Sequence, residues 1–230
     1  MNPEQHKKLS ILWHNQLELI RWKLRERNDN SYSVQVVKPS LNISIIISCC
    51  SVIEGYLFTV IKDHLFIAGH KNNKENDNTQ LLDRVLLDYS EQLENATWGR
   101  YLKIFETITG YSISKGIESN IFKAVAIMFQ YRNQLAHGNE IEITFIENGG
   151  PGEIKPTSKY FKILKYGEEK KLIKVDYDNH NFDILTNQFI DHFYEKTKQF
   201  IIEVNEMFPP ELRSILTADL FAIINDKKHL

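Results

Sequence analysis

Apolar residues recur every three or four positions through most of the chain, the spacing that lines one face of an α-helix. Leu9, Leu12, Trp13, Leu17, Ile20 and Leu24 predict a first helix over residues 4–27, ended by Asn28-Asp29-Asn30-Ser31. Tyr32 to Val37 reads as an extended link or a strand, and Pro39-Ser40 marks the next boundary. Residues 40–67 then predict a helix that is greasy nearly all round: Ile45, Cys49, Val52, Ile53, Tyr56, Leu57 and Val60 form one stripe, and Ile43, Ile46, Ile47 and Phe58 widen it. Such a helix belongs at the centre of a bundle or at a dimer contact. The polar run from Gly69 to Thr79 predicts a surface loop. Two further core helices follow at about 79–93 and 97–108, and Gly110 to Gly116 reads as a linker.

The next helix, about 118–137, is the one whose end carries chemistry. Ile121, Val125, Met128, Phe129 and Leu135 keep the helical period, Ser119 or Glu118 can cap its start, and Gly138 supplies a residue suited to the left-handed turn that ends a helix. Beyond it the pattern alternates. Ile141, Ile143 and Phe145, then Tyr160 to Tyr166, then Ile173, Val175 and Tyr177 predict three strands, separated by turns at 148–152 and 167–169. The expectation is a small antiparallel β insert at about 140–178. A long helix over 182–207, on Leu185, Phe189, Phe193, Phe200, Val204 and Met207, stops at Pro209-Pro210, and shorter helical pieces close the chain by about 226. The predicted fold class is mainly α: a single helical-bundle domain over residues 1–230 with a β insert.

Composition narrows the function classes. With 42% hydrophobic and 11% aromatic residues, 230 residues can bury a sizeable core. A net charge of -2 excludes bulk electrostatic gripping of nucleic acid, so any RNA contact must be local. Cys49 and Cys50 are adjacent in an apolar run, cannot readily pair with each other, and read as core packing in a reducing compartment. The polar N-terminus and the short aliphatic run Ile43–Ile47 give no export signal and no membrane span, so a cytoplasmic protein is expected.

At the end of the 118–137 helix stand Arg132, Asn133 and His137. Asn133 and His137, four apart, share a helix face, so the amide can set the ring's orientation and tautomer. The helix dipole favours an imidazolium at position 137 by about 0.3–1 kcal/mol while Arg132 opposes it, which points to titration near neutrality and a proton-transfer role. Arg132 offers a charged fork that fits phosphate. Arg132-Asn133 followed by His137-Gly138 resembles the signature of the HEPN superfamily: Arg, a polar residue, a short spacer, then His at a helix end. The resemblance extends loosely over 40–138 and the helix near 183–207. It implies a helical bundle that dimerises so that two copies of the motif face one cleft, and, in catalytic members, metal-independent RNA cleavage.

Two functional readings stand on these residues. The first is an endoribonuclease in which His137 is the base for the ribose 2′-hydroxyl or the acid for the leaving oxygen, Arg132 holds the phosphate, and Asn133 sets the ring or bonds the phosphate. One motif supplies one histidine, so a homodimer pairing two motifs supplies both acid and base, with 2′,3′-cyclic phosphate and 5′-hydroxyl products. For such an enzyme the resemblance suggests a prokaryotic toxin or phage-defence effector, held by an antitoxin or switched on by a partner. The second reading is a non-catalytic helical module for dimerisation, nucleotide or partner binding, in which Arg132 and His137 cap a helix.

Other residues are weighed beside these. Glu54 is the one charge between Leu41 and Lys62; it either orients Arg132 across the bundle or sits on the helix's wet edge. Lys159, Lys162 and Lys165, interleaved with Tyr160 and Phe161, either track a single-stranded RNA backbone while stacking bases or protect sheet edges from aggregation. His64 and His192 have no ligand partner at i+4, and no zinc, phosphate-loop, dinucleotide or Gly-x-Ser-x-Gly pattern occurs, so no metal and no cofactor is expected.

Overall fold

The computed structural model describes residues 3–29, 37–72, 79–94, 96–136, 145–146, 153–154, 160–176 and 181–210. Its helices are α1 (Pro3–Asn28), α2 (Val37–Asn72), α3 (Thr79–Glu94), α4 (Trp98–Thr109), α5 (Ile113–Gly116), α6 (Ser119–Ala136), α7 (Phe161–Glu169) and α8 (Asn187–Glu206). Among the described residues four short strands pair antiparallel in twos: β1 (Phe145–Ile146) with β2 (Glu153–Ile154), and β3 (Lys174–Asp176) with β4 (Asn181–Asp183). The fold is mainly α, as the periodicity predicts. The residues group into two compact units, one of 1–17, 51–122 and 198–230, the other of 18–50 and 123–197.

In the first unit the core is built from α2 residues Val52, Ile53, Tyr56, Leu57, Val60 and Ile61, with Tyr101, Ile104 and Phe105 of α4 and Phe200, Ile201 and Val204 of α8, all buried. Phe208 gathers three rings, lying 4.6 Å from His64, 5.9 Å from Phe105 and 5.0 Å edge-on from Tyr111. Helix α4 has both ends defined by sequence. The Thr97 hydroxyl accepts from the Arg100 N–H, and Gly110, at φ 74°, takes the left-handed conformation that stops the helix.

In the second unit the buried stripe of α1 reads Ile20, Leu24, Arg27, so an arginine occupies the apolar register. Its guanidinium is 1% exposed and donates to Asp191 at 2.6 Å and to Asn42 at 3.3 Å. Asn42 in turn donates to the Leu185 carbonyl at 2.7 Å and to Asn187 at 3.0 Å. This network ties α1, α2 and the start of α8 together through polar groups that are satisfied inside the fold. Cys49 and Cys50 are fully buried, and burial pushes the Cys49 thiol up to about 12, so Cys49 packs as a small apolar side chain.

Several expectations change. Residues 160–166, expected as a strand, begin a helix, α7. Tyr160, Ile163, Leu164 and Gly167 are buried at the i, i+3, i+4, i+7 spacing of a helix, and Lys162, Lys165 and Glu168 are exposed; the lysines at every third position belong to that helical period. Among the described residues the antiparallel part of the insert is two short ladders, one before and one after α7 in the chain. The 110–116 linker contains the four-residue α5. Helix α2 starts at Val37, with Pro39 in its first turn where a missing N–H costs nothing, and continues through Asn72 into the expected loop. Within it Lys38–Leu65 is long and apolar enough to cross a membrane, against the expectation of no such span, and 61% of its most apolar window is buried inside the fold, as in a core helix. Tyr32–Val36, the 141–143 strand start and the helical pieces after 210 lie outside the described residues.

Candidate active site

The chemistry-bearing end of α6 is positioned from its buried side. Ile121, Ala124, Val125, Met128, Phe129 and Tyr131 are buried along α6, and the last turn leaves Asn133 and Ala136 exposed with Arg132, Gln134 and Leu135 partly so. The Glu118 carbonyl starts the helix by accepting from the Ile121 and Phe122 N–H groups at 3.0 and 3.1 Å. Within the second unit, Thr197 of α8 donates its hydroxyl to Met128 Sδ at 3.8 Å, and the Tyr131 ring stacks on Phe189 of α8 at 5.9 Å. Tyr131 is 0% exposed, and its hydroxyl donates to the Ile184 carbonyl at 2.7 Å. Burial is the first cause holding its phenol above the usual range, with Tyr160 and Asp183 adding to it, so Tyr131 stays a protonated donor.

That anchor fixes the backbone immediately before the candidate residues. Arg132 is half-buried, with its guanidinium carbon 5.3 Å from the centre of the Phe129 ring one turn back. A cation over an aromatic face loses part of its rotamer freedom before any ligand arrives. Asn133, on the neighbouring face, is exposed. His137 and Gly138 lie outside the described residues, so the structure brings Arg132 and Asn133 to the last turn of α6 and does not describe the imidazole.

Glu54 falls in the first unit and Arg132 in the second. On α2, Glu54 is partly exposed and continues the seam of exposed Ile47 and Ser51 at helical spacing. Of the lysine-aromatic group, Lys159 is outside the described residues and Lys162 and Lys165 are exposed on α7. The Lys165 ammonium lies 5.7 Å from the centre of the Phe161 ring. Tyr160 is 2% exposed, so its ring belongs to the core, which corrects its expected role as a base-stacking surface. Among the described residues no group of three or more His, Cys, Asp or Glu side chains is arranged to hold a metal ion.

Two arrangements escape sequence reasoning. The Tyr166 hydroxyl meets His192 Nε2 at 2.7 Å, joining α7 to α8 across 26 positions. Arg27 meets Asp191 across 164 positions, and only the placement of Arg27 in the Leu17, Ile20, Leu24 register signals a buried cation.

The family model that matches the chain is RiboL-PSP-HEPN, over residues 14–148, a span that includes α2, α6 and the whole of the 132–138 motif. No curated protein and no solved structure matches the chain. A match over more than half of the 230 residues, ending just past the motif helix, agrees with the resemblance carried by Arg132, Asn133 and His137. The chain belongs to the RiboL-PSP-HEPN family, and so to the HEPN superfamily.

Proposed function

We propose that the protein is a metal-independent endoribonuclease that cleaves RNA by attack of a ribose 2′-hydroxyl on the adjacent phosphate. The family typically has ribonuclease activity, and the observation that carries the reading to this chain is the last turn of α6. There a guanidinium braced on Phe129 and an exposed amide stand together on a backbone pinned by buried Tyr131.

RNA carries its own nucleophile, so the reaction needs a base, an acid and a cation, and no metal. His137 exchanges the proton, Arg132 holds the phosphate and stabilises the charge that builds on it, and Asn133 orients the ring or bonds a phosphate oxygen. Acid and base together need two imidazoles, which a homodimer supplies from two motifs at one composite cleft. The products are a 2′,3′-cyclic phosphate and a 5′-hydroxyl. The biological setting we propose is a cytoplasmic prokaryotic toxin or phage-defence effector restrained by an antitoxin or triggered by a partner.

The test is incubation of purified protein with labelled RNA in EDTA, beside Arg132→Ala and His137→Ala. Cleavage by the wild type that falls at least 100-fold in both variants supports the proposal. Absence of cleavage by the wild type, or equal cleavage by all three, refutes it and leaves a non-catalytic helical module.

A further inference from the structure

The exposed face of α6 changes character along its length. At its start the polar side chains are used inside the fold: Asn120 donates to Glu118, and Lys123 holds Glu169 at 3.2 Å. At its end three amides come up together. Gln130 and Asn133 are exposed and Gln134 is partly so, and among the described residues none of these three side chains has a hydrogen bond, an ion pair or a ring contact. Their i, i+3, i+4 spacing puts them on one face, with Cβ atoms of neighbours about 5–6 Å apart. Helix geometry alone sets that placement. It also puts Gln130 and Gln134 within one turn of Arg132, on the backbone that buried Tyr131 pins.

The face is uncharged. The exposed positions of α7 are Lys162, Lys165, Glu168 and Glu169, the usual charged surface of a solvated helix. By contrast α6 has no acidic residue over Ser119–Ala136, so no carboxylate of its own repels a nucleic-acid strand at this end. Neutral amides add nothing to the general attraction for phosphate; what they supply is a donor paired with an acceptor. In the proposed reaction Arg132 and Asn133 serve the phosphate and the ring, and Gln130 and Gln134 stand beside them without a part.

A carboxamide needs a ligand that shows it an acceptor next to a donor. On the Hoogsteen edge adenine alone offers that pair, N7 beside N6–H; guanine shows two acceptors there and each pyrimidine a single polar group. Adenine repeats the pair on its Watson–Crick edge, with N1 on the other side of the same amino group. We infer that Gln130 and Gln134 are specificity-determining residues that read the base next to the cleaved linkage, and that the base they fit is adenine, one amide to each edge. The inference rests on the chain binding RNA as proposed above and adds which base the strand carries there.

The experiment titrates full-length protein in EDTA against fluorescein-labelled 2′-O-methyl strands of sequence UUXUU, read by fluorescence anisotropy. Such strands have no 2′-hydroxyl to attack, so binding is measured without cleavage. The strand with X = adenine should bind at least fivefold tighter than those with guanine, cytosine or uracil, and 7-deazaadenine, which lacks N7, should lose at least fivefold. The preference should shrink in Gln130→Ala and in Gln134→Ala and vanish in the double variant, with binding of the all-uridine strand unchanged; alanine at exposed helix positions keeps the fold. Equal binding of the four strands, no saturable binding of any, or a preference unchanged in the double variant overturns the inference. The two readings fail separately: adenine preference here with all-ribose RNA left intact removes the nuclease reading alone, and cleavage of all-ribose RNA with equal binding of the four strands removes this one alone.

Discussion

Tyr131→Phe removes one oxygen from the residue that precedes Arg132, and the structure sets what that oxygen contributes. The ring is 0% exposed and keeps its stacking on Phe189 in the variant, so no large cavity opens. What goes is a 2.7 Å hydrogen bond to the Ile184 carbonyl, a residue itself only 6% exposed. Losing the bond costs about 0.5–1.5 kcal/mol, and leaving a buried acceptor short of a donor raises that to about 1–3 kcal/mol. The carbonyl has a second lone pair and the 184 segment can shift toward water, so about 1–2 kcal/mol is expected. Equilibrium urea unfolding should show a lowered midpoint with an unchanged slope, since the surface exposed on unfolding is the same. Tyr131→Ala adds the loss of a buried ring and should cost about 3–5 kcal/mol. If Tyr131→Phe lies within about 0.3 kcal/mol of the wild type, a change within the noise of such measurements, the hydroxyl does not anchor the last turn of α6 and the account of how Arg132 is positioned is wrong.

Other outcomes follow from the same geometry. Arg27→Ala should destabilise by about 2–3 kcal/mol in urea, because Asn42 loses a buried partner while Asp191, 51% exposed, can rehydrate; an unchanged midpoint would show the network is idle. Lys171, at φ 56°, is the non-glycine residue in the left-handed region among the described residues, and it closes α7 with the Leu172 N–H bonded to the Gly167 carbonyl at 2.8 Å. Lys171→Gly should therefore raise stability by about 0.5–1 kcal/mol, read as a higher melting temperature. His192, held at about 4 in the fold against 6.5 unfolded, is protonated first in the unfolded chain, so stability falls as pH drops from 6.5 toward 4. With the ring partly exposed this amounts to about 1–2 kcal/mol after solvent screening, and His192→Gln should flatten that part of the pH profile of the urea midpoint.

Local periodicity made most helices legible. The stripes ending at Leu24, running through Ile45 to Val60, and closing at Phe129 are buried along single helices, and each is set by residues within a few turns of one another. The segment at 160–169 reads as extended from its aromatic and β-branched residues, yet Tyr160, Ile163, Leu164, Tyr166 and Gly167 are buried while Lys162 and Lys165, three apart, are exposed, a division that a helix face accounts for. The motif was legible as a string of residue types, and the family match covers it. Its support was not. Tyr131 bonds to Ile184 and stacks on Phe189, partners 53 and 58 positions away that no local pattern reports. The same holds for His192, which looks solitary on α8 until α7 brings Tyr166 to it.

The central claim is that this chain uses the substrate's own 2′-hydroxyl, with an imidazole and a guanidinium and no metal. The most direct measurement replaces one ribose at the mapped cleavage position of a synthetic RNA with 2′-deoxyribose and follows both substrates with the wild-type protein in EDTA. The account predicts that the all-ribose strand is cut to a 2′,3′-cyclic phosphate end and that the substituted linkage is untouched. Cutting of the 2′-deoxy linkage at a comparable rate, or a product ending in a 3′-hydroxyl, would contradict it.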